Sequence, residues 1–257
     1  DAGRLAPDAV YLSGRLRDYA SYSKKVRAVI DDFSPSVQAA SIDEFFIDLA
    51  GCERMYAHPE DRGPDETIQR TVWDLLHRIK QEVGLPASVG IAAARPVAKI
   101  ASGLAKPRGV IMVPAGTEAE FLAPLPVGKF PGIGPVARGK LNAYGVHTLG
   151  QLAALRDGEL RRLFGAWADY VGQGVRGQGA GTLGEDRPAF REHDPEGGTV
   201  GSISNERTFR EDVADPNSIL RMLCSLSERV CWRARKRGVM ARTITLKLRY
   251  ADFETLT

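Results

Sequence analysis

The sequence has few cysteines, and their number and placement exclude a disulfide scaffold and a zinc module. Its three cysteines, Cys52, Cys224 and Cys231, are an odd number without metal-ligand spacing. Cys224 and Cys231 stand seven residues apart in a helical pattern, about 10 Å along the axis. That distance exceeds the Cα separation of a disulfide. Free thiols in a reducing compartment are therefore expected.

Long apolar runs are also missing from the sequence. No stretch approaches the roughly 18 uninterrupted apolar residues of a membrane span, and residues 1–4 offer no apolar signal core. We therefore expect a cytoplasmic protein with no membrane partner. Hydrophobic residues make up 43% of the 257 residues and charged residues 26%, which is typical of folded chains. The length predicts two or three domains.

The net charge of +3 is unevenly distributed along the chain. Residues 201–257 contain 11 Lys and Arg against 7 Asp and Glu, whereas residues 1–200 contain 24 against 25. The basic residues are densest over residues 228–249, where they accompany a single acid, Glu228: Arg229, Arg233, Arg235, Lys236, Arg237, Arg242, Lys247 and Arg249. A solvated helix face is one interpretation, and a polyanionic partner is at least as well supported.

The order of elements predicts an α+β, multidomain fold. The first 112 residues predict a strand or hairpin over Val37–Leu49, helices over Asp65–Val83 and Pro96–Ala105, and a strand over Ala87–Ala92. Residues 117–177 predict an all-helical part with helices over 118–122, 136–144, 149–155 and 159–170. Residues 172–201 have the composition of a linker. The last 57 residues predict strand (202–209), helix (218–236) and half-buried strand (242–250).

Two adjacent carboxylates, Asp43 and Glu44, stand in a strand-like apolar run from Ser41 to Leu49. Buried charge is costly, so a compensating group is expected if this run is an interior strand. Neighbouring strand residues point to opposite faces, so a turn or bulge is needed for both carboxylates to reach one metal ion or substrate. An exposed hairpin turn explains the pair equally well. Oxygen ligands of this kind suit Mg²⁺.

Two further motifs could bind phosphate. Lys106 follows a predicted helix, where it could neutralise the helix C-terminus or bind a phosphate, and Lys99 lies near the same helix face, where a solvated role is more common. The loop from Pro131 to Pro135 contains two glycines and precedes a helix carrying Arg138 and Lys140. Backbone amides at such a helix start bind phosphate oxygens without distinguishing bases.

Taken together, these motifs resemble the Y-family translesion DNA polymerases, closest to the bacterial DNA polymerase IV branch. The resemblance covers nearly the whole chain and rests on the order and spacing of six motifs: Ser41-Ile42-Asp43-Glu44, Ser88-Val89-Gly90-Ile91-Ala92, Val97-Ala98-Lys99-Ile100-Ala101-Ser102, Leu104-Ala105-Lys106-Pro107, Pro131-Gly132-Ile133-Gly134 and Tyr250-Ala251-Asp252-Phe253. The combination is far more specific than any one motif.

The resemblance implies five segments. Residues 1–16 would be the end of the fingers, 17–113 a partial α/β catalytic palm, and 114–178 an all-α thumb with a helix-hairpin-helix. Residues 179–199 would be a linker and 200–257 an incomplete α/β little finger.

The resemblance also implies residue roles. Asp43 and Glu44 would be the catalytic, metal-binding carboxylates, and Lys106 would contact the incoming triphosphate. Two Mg²⁺ ions are implied, with Mn²⁺ as a substitute. DNA would be held by main-chain amides of the glycine loop and by basic side chains: Gly132, Ile133, Gly134, Arg138, Lys140, Arg242, Lys247 and Arg249.

The implied activity is template-directed nucleotide addition to a primer 3′ end across damaged DNA, by two-metal phosphoryl transfer. Primer-template DNA, deoxynucleoside triphosphates and a sliding clamp are the implied partners, and the nucleoid of a bacterial cytoplasm the implied location. The family's first metal-binding aspartate, its aromatic steric gate and the Tyr and Arg of the fingers would precede Asp1. The clamp-binding peptide would follow Thr257. The 257-residue chain is therefore expected to be inactive alone.

Two alternatives remain open from the sequence. One is a catalytically inactive relative that serves as a DNA-binding scaffold in the damage response, which the intact Asp43-Glu44 pair disfavours. The other is a nucleotide cyclase, which shares the local carboxylate chemistry but does not explain the glycine loop or the basic C-terminal region.

Overall fold

The computed structural model describes residues 2–179 and 201–257, and the predicted linker 179–199 lies almost entirely outside them. The chain divides into two compact units, Asp1–His193 and Asp194–Thr257. None of the helices in the described ranges is long and apolar enough to cross a membrane. Cys52 is partly buried, whereas Cys224 and Cys231 are exposed, and all three are free thiols.

The first unit begins with a helical layer packed on a β-hairpin. The predicted hairpin is confirmed: β1 and β2 are antiparallel, with Val37 opposite Ile47. Val37 and Ile47 pack on a core that includes Ile30 and Leu75. The elements are α1 (Ala2–Leu5), α2 (Leu16–Asp31), β1 (Ser36–Ala39), β2 (Phe45–Asp48), α3 (Glu53–Tyr56) and α4 (Pro64–Val83).

Helix α4 confirms the prediction from hydrophobic spacing. It starts at Pro64 and ends at Val83, and Gly84 caps it with a φ of 79°, which suits glycine. An ion pair ties the preceding loop to the helix, because Arg70 donates to Asp61 at 2.7 Å. This guanidinium holds the pKa of the Asp61 carboxyl well below its usual range.

A βαβ unit follows α4. The parallel strands β3 (Val89–Ile91) and β4 (Val110–Met112) are connected by helix α5 (Arg95–Leu104). Gly90 lies in the middle of β3, and a Cβ built on it would be 2.0 Å from the carbonyl oxygen of Ala98. Only glycine allows the helix to lie this close to the strand.

The following segment is all-helical, as predicted, with one error in the boundaries. Its helices are α6 (Glu118–Leu122), α7 (Pro135–Ala143), α8 (Leu149–Ala153), α9 (Asp157–Phe164) and α10 (Ala168–Val175). The single helix predicted over 159–170 is wrong, because the chain breaks at Gly165, where φ is +58°. Helix α10 also extends to Val175, which lies within the stretch from residue 172 whose composition suggested a linker.

One buried core runs through both the βαβ unit and the helical segment. It contains Val97 and Ala101 of α5 together with Phe130, Leu149 and Val171 of the helical segment. The predicted boundary near residue 113 therefore separates stretches of chain whose side chains share one core. This packing fixes α5 relative to the loops between the later helices.

The second unit has a long helix and a short hairpin among its described residues. Helix α11 (Pro216–Lys236) confirms the predicted helix, and the Asp215 side chain caps it by accepting from the Ser218 amide at 2.9 Å. The hairpin pairs β5 (Leu248–Arg249) with β6 (Thr255–Leu256).

Both strands predicted for this unit need correction. Residues 202–209 form no strand, and the predicted strand 242–250 is reduced to Leu248–Arg249. Ile244 is 94% exposed, so the expected half-buried face is not buried. A strand requires hydrogen bonds to a neighbour, and of this run only Leu248 and Arg249 pair with β6 within the described residues.

Candidate active site and nucleic-acid interface

Asp43 and Glu44 lie in the loop of the first hairpin, between β1 and β2. The amides of Ala40 and Ser41 both donate to the Glu44 carbonyl oxygen, at 2.9 and 3.2 Å, which closes the loop. The Ser41 hydroxyl donates to the Asp43 carboxylate. Asp43 is exposed and Glu44 half-buried. Of the two interpretations of this run, the hairpin turn describes the backbone and the interior strand with buried charge does not.

Helix α5 presents two cations to the hairpin. Glu44 and Phe46 are two residues apart and share one face of the extended chain. Arg95 and Lys99, one helical turn apart on α5, face them. The Arg95 guanidinium lies 4.3 Å from the centre of the Phe46 ring, and the Lys99 ammonium donates to Glu44 Oε1. The sequence patterns did not indicate this pairing.

The chemistry of the hairpin loop fits a hard divalent cation. Asp43 and Glu44 supply carboxylate oxygens and Ser41 a hydroxyl, all at a partly exposed loop. Mg²⁺ is typically bound by one or two carboxylates together with substrate phosphates and water. Within the described ranges, no three His, Cys, Asp or Glu side chains converge. These two carboxylates would therefore need further oxygen ligands to complete a site.

Lys106 lies outside this group of contacts. It follows α5 by two residues, in the turn towards β4, and is exposed. Its contact with a triphosphate stays a prediction. Lys99 is the lysine that the structure brings to the carboxylates. Its spacing of four residues from Arg95 puts the two side chains on one face of α5, which groups them with each other but does not name the hairpin as their partner.

The glycine loop before α7 is held in shape by aromatic side chains. Gly132 has a φ of +90°, and a Cβ built on it would be 1.8 Å from the Trp167 ring. Trp167 contacts Tyr170, with ring centres 5.5 Å apart, and Tyr170 contacts the buried Phe130 at 5.9 Å. Glycine at position 132 is therefore required by both conformation and close packing.

Two of the three predicted main-chain DNA contacts have their amides engaged within the loop. The Ile133 amide donates to the Phe130 carbonyl at 3.1 Å and the Gly134 amide to the Gly132 carbonyl at 3.1 Å. The Ile133 side chain is buried, with 5% exposed. The Ile133 and Gly134 amides are thus less suited to bind phosphate than the sequence indicated.

Other amides at the start of α7 take their place. In the described part of the chain, the amides of Gly132, Val136 and Ala137 have no hydrogen-bond acceptor, and no side chain caps α7. Arg138 and Lys140 are exposed on the same helix. Unpaired amides and the positive end of a helix dipole are features that suit a phosphate group.

A groove of about 460 Å³ separates α5 from the glycine loop. Lys99 and Gly103 line it on the α5 side, and Lys129 and Gly132 on the loop side. Both sides belong to the first unit and share its core, so the groove is a fixed feature. It connects the position of Lys99, beside Glu44, with the loop that precedes α7.

The predicted basic residues of the second unit are exposed, and two of them have partners. Lys247 pairs with Glu206 at 2.8 Å and lowers the pKa of that carboxyl. Arg249 donates to the Thr255 hydroxyl at 3.1 Å. Arg242 is exposed. Exposed pairs of this kind are weak and exchange readily with a stronger anion.

Comparison with known proteins assigns similarity to three parts of the chain. Residues 1–103 match the impB/mucB/samB family, residues 116–146 the IMS family HHH motif, and residues 200–257 the impB/mucB/samB family C-terminal domain. The matched regions contain the hairpin loop, the glycine loop and the second unit respectively.

Individual relatives extend this similarity over the whole chain. DNA polymerase IV of Dehalococcoides mccartyi (strain CBDB1) is 36% identical over 256 residues, covering 100% of this chain and 60% of that protein. DNA polymerase IV of Alkalilimnicola ehrlichii is 34% identical over 256 residues, covering 100% of this chain and 66% of that protein. The chain thus spans about 60% of the length of the first of these relatives.

Solved structures share the fold. An insertion ternary complex of Dbh DNA polymerase matches with a TM-score of 0.60 and 25% identity, covering 70% of this chain and 50% of that one. A Y-family DNA polymerase chimera matches with a TM-score of 0.73, covering 99% of this chain and 68% of that one. The identity to the chimera is 21%, so that likeness concerns the fold alone.

Proposed function

Since the chain belongs to the impB/mucB/samB family of Y-family DNA polymerases, we propose that the protein carries out template-directed DNA synthesis of the translesion type. The observation that carries the proposal is the pair of partly exposed carboxylates, Asp43 and Glu44, in one tight loop of a chain that belongs to this family. Primer-template DNA and deoxynucleoside triphosphates are the proposed substrates.

The proposed mechanism assigns metal binding to the hairpin loop. Asp43 and Glu44 would hold Mg²⁺, or Mn²⁺ in its place, and the Ser41 hydroxyl orients the Asp43 carboxylate. When bound, the metal ions supply Lewis-acid chemistry, activating the primer 3′-hydroxyl and neutralising the triphosphate. The protein's own contribution is positioning and charge, which account for most of the rate in phosphoryl transfer. Lys106 is the proposed contact to the triphosphate.

The glycine loop and the second unit are the proposed DNA contacts. The amides of Gly132, Val136 and Ala137 would bind backbone phosphates, with Arg138 and Lys140 adding charge. In the second unit, Arg242, Lys247 and Arg249 would lie along the duplex. Family membership is the sole support for a sliding clamp as partner and for a location at the nucleoid of the cytoplasm.

The test of the proposed function is single-nucleotide primer extension with Mg²⁺ by the full-length protein that carries this chain. We expect the primer to be extended by the nucleotide that is complementary to the template base. DNA binding without extension would instead support the inactive scaffold. A nucleotide cyclase would form its product without primer-template DNA, and the glycine loop disfavours it.

The DNA interface predicts a specific result for Gly134→Ala. A Cβ at this position contacts no atom within 4 Å, and φ is −79°, so the fold is expected to tolerate it. The methyl group would stand where a backbone phosphate approaches the start of α7. We expect the Kd for primer-template DNA to rise about tenfold on all sequences alike, the loss of one charge-assisted hydrogen bond.

Gly158→Ala is the matched control for that binding measurement. Gly158 also has open space for a Cβ and lies in the first turn of α9. The Kd of each variant is measured by fluorescence anisotropy with primer-template DNA of three unrelated sequences. Equal affinities for the two variants would place the DNA backbone elsewhere than at α7.

A further inference from the structure

Lys99 is in contact with two different features of the first unit. Its ammonium donates to Glu44 Oε1, across 55 residues of sequence, and its side chain also lines the groove between α5 and the glycine loop. The exposed fractions are 41% for the Lys99 side chain and 36% for Glu44. The pair is therefore accessible, and neither partner is locked in a closed core.

The pairing with Lys99 lowers the negative charge and the number of free carboxylate oxygens that the hairpin loop offers to a divalent cation. Asp43 and Glu44 together carry two negative charges. With the Lys99 ammonium bound to Glu44, the net charge of the three groups is −1. The ammonium also occupies an oxygen that a metal ion would use. Repulsion between like charges a few ångströms apart lowers the affinity for a second cation. Lys99 in this position thus competes with a metal ion for Glu44.

The groove offers the same ammonium a second anionic partner. It is lined on its far side by Lys129 and by Gly132, whose amide has no acceptor among the described residues. Lys99 and Lys129 both line the groove, so it offers two ammonium groups to an anion such as a phosphodiester. The four-carbon stem of lysine is flexible enough to exchange one partner for another nearby.

We propose that Lys99 is a shared counter-ion, bound to Glu44 in the DNA-free protein and transferred to a primer-strand phosphate when DNA enters the groove. DNA binding then frees Glu44 for the metal ion, so DNA and metal bind cooperatively. The proposal rests on the proposed polymerase function and adds to it an order of events. Lys99 acts here as a positioning residue, which controls the carboxylate rather than the reacting atoms.

The coupling must be reciprocal, since it is a free energy shared between two sites. DNA should tighten metal binding by the same factor by which metal tightens DNA binding. The energies of exposed ion pairs correspond to a change of about two- to fivefold in affinity. Lys99→Met keeps the length of the side chain and removes its charge. It should tighten metal binding in the absence of DNA by this factor and abolish most of the coupling.

The experiment is a Mn²⁺ titration of the full-length protein, with free Mn²⁺ measured by electron paramagnetic resonance. It is run without DNA and with primer-template DNA whose primer ends in a 3′-deoxynucleotide, so that no reaction occurs. Lys99→Arg should retain the coupling. Lys99→Gln is measured beside Lys99→Met as a second neutral variant, and Lys24→Met, an exposed lysine of α2, serves as the matched control. Thermal unfolding verifies that each variant is folded.

The outcomes separate the inference from the function it rests on. Tighter Mn²⁺ binding by both neutral variants without DNA, with coupling reduced, supports the inference. If the wild type extends primers and binds Mn²⁺, but the neutral variants show unchanged Mn²⁺ affinity and coupling, the inference alone fails. If the wild type neither binds Mn²⁺ in the presence of DNA nor extends a primer, both the inference and the proposed function fail.

Discussion

Asparagine in place of Asp43 is expected to lower nucleotide insertion by the full-length protein about a thousandfold, because the metal-bound transition state loses several kcal/mol of charge stabilisation. The substitution preserves size and leaves an oxygen that can accept from the Ser41 hydroxyl, so the hairpin loop should stay closed by the Ala40 and Ser41 amides. Affinity for primer-template DNA measured without divalent metal should stay within about twofold, since the proposed phosphate contacts lie elsewhere. Pre-steady-state insertion of one nucleotide measures the effect.

Asp48→Asn is the matched control for this variant. Asp48 is on the same hairpin, at the opposite end of β2, where its carboxylate accepts from the Ala50 amide at 3.0 Å. Insertion by Asp48→Asn should match that of the wild type. Comparable insertion by Asp43→Asn and Asp48→Asn would refute the assignment of Asp43 as a metal ligand. A large loss of DNA affinity in Asp43→Asn alone would show that the loop contacts DNA directly.

The architecture of the first unit explains how the hairpin loop and the glycine loop are positioned relative to each other. Helix α5 places Arg95 and Lys99 against the hairpin, while its Val97 and Ala101 are buried in the core that also contains Phe130. A single rigid helix thus connects the two loops. The groove between them is held by side chains that pack in this shared core.

Local sequence patterns predicted the helices well, because one face of each packs on a core. Helix α4 and helix α6 match their predicted ranges to within a residue. The break at Gly165 was missed because apolar residues continue with helical spacing on both sides of it, from Leu160 to Tyr170. The spacing alone does not reveal a backbone reversal that depends on one glycine.

Contacts between distant residues could not be predicted in the same way. The strand predicted over residues 202–209 requires a neighbouring strand, and an alternating pattern contains no information on whether one is present. The Lys99–Glu44 pair joins residues 55 apart, so neither motif alone indicates it. Metal binding by Asp43 and Glu44 stays a prediction from residue type, whereas the choice between an interior strand and a hairpin turn required the structure.

Gly90→Ala should have the largest effect on stability, because α5 lies directly on β3 at this residue. The added Cβ would be 2.0 Å from the Ala98 carbonyl oxygen, 2.3 Å from the Ser102 amide nitrogen and 2.8 Å from the Ala101 Cβ. Two of these are backbone atoms, which cannot rotate away, so the helix must move off the strand. We expect a loss of about 3 kcal/mol or more, the upper end of the cost of overpacking.

Gly103→Ala tests whether the effect at Gly90 comes from close packing. Gly103 is on α5 itself, but a Cβ there meets nothing within 4 Å, so alanine should stabilise the helix by about 1 kcal/mol. Thermal unfolding followed by circular dichroism should show a lower midpoint for Gly90→Ala and an equal or higher one for Gly103→Ala. If Gly90→Ala unfolds at the same midpoint temperature as the wild type, α5 does not pack closely on β3. Lys99 would then have no fixed position beside Glu44, because the close approach of α5 to β3 is what holds that lysine at the hairpin loop.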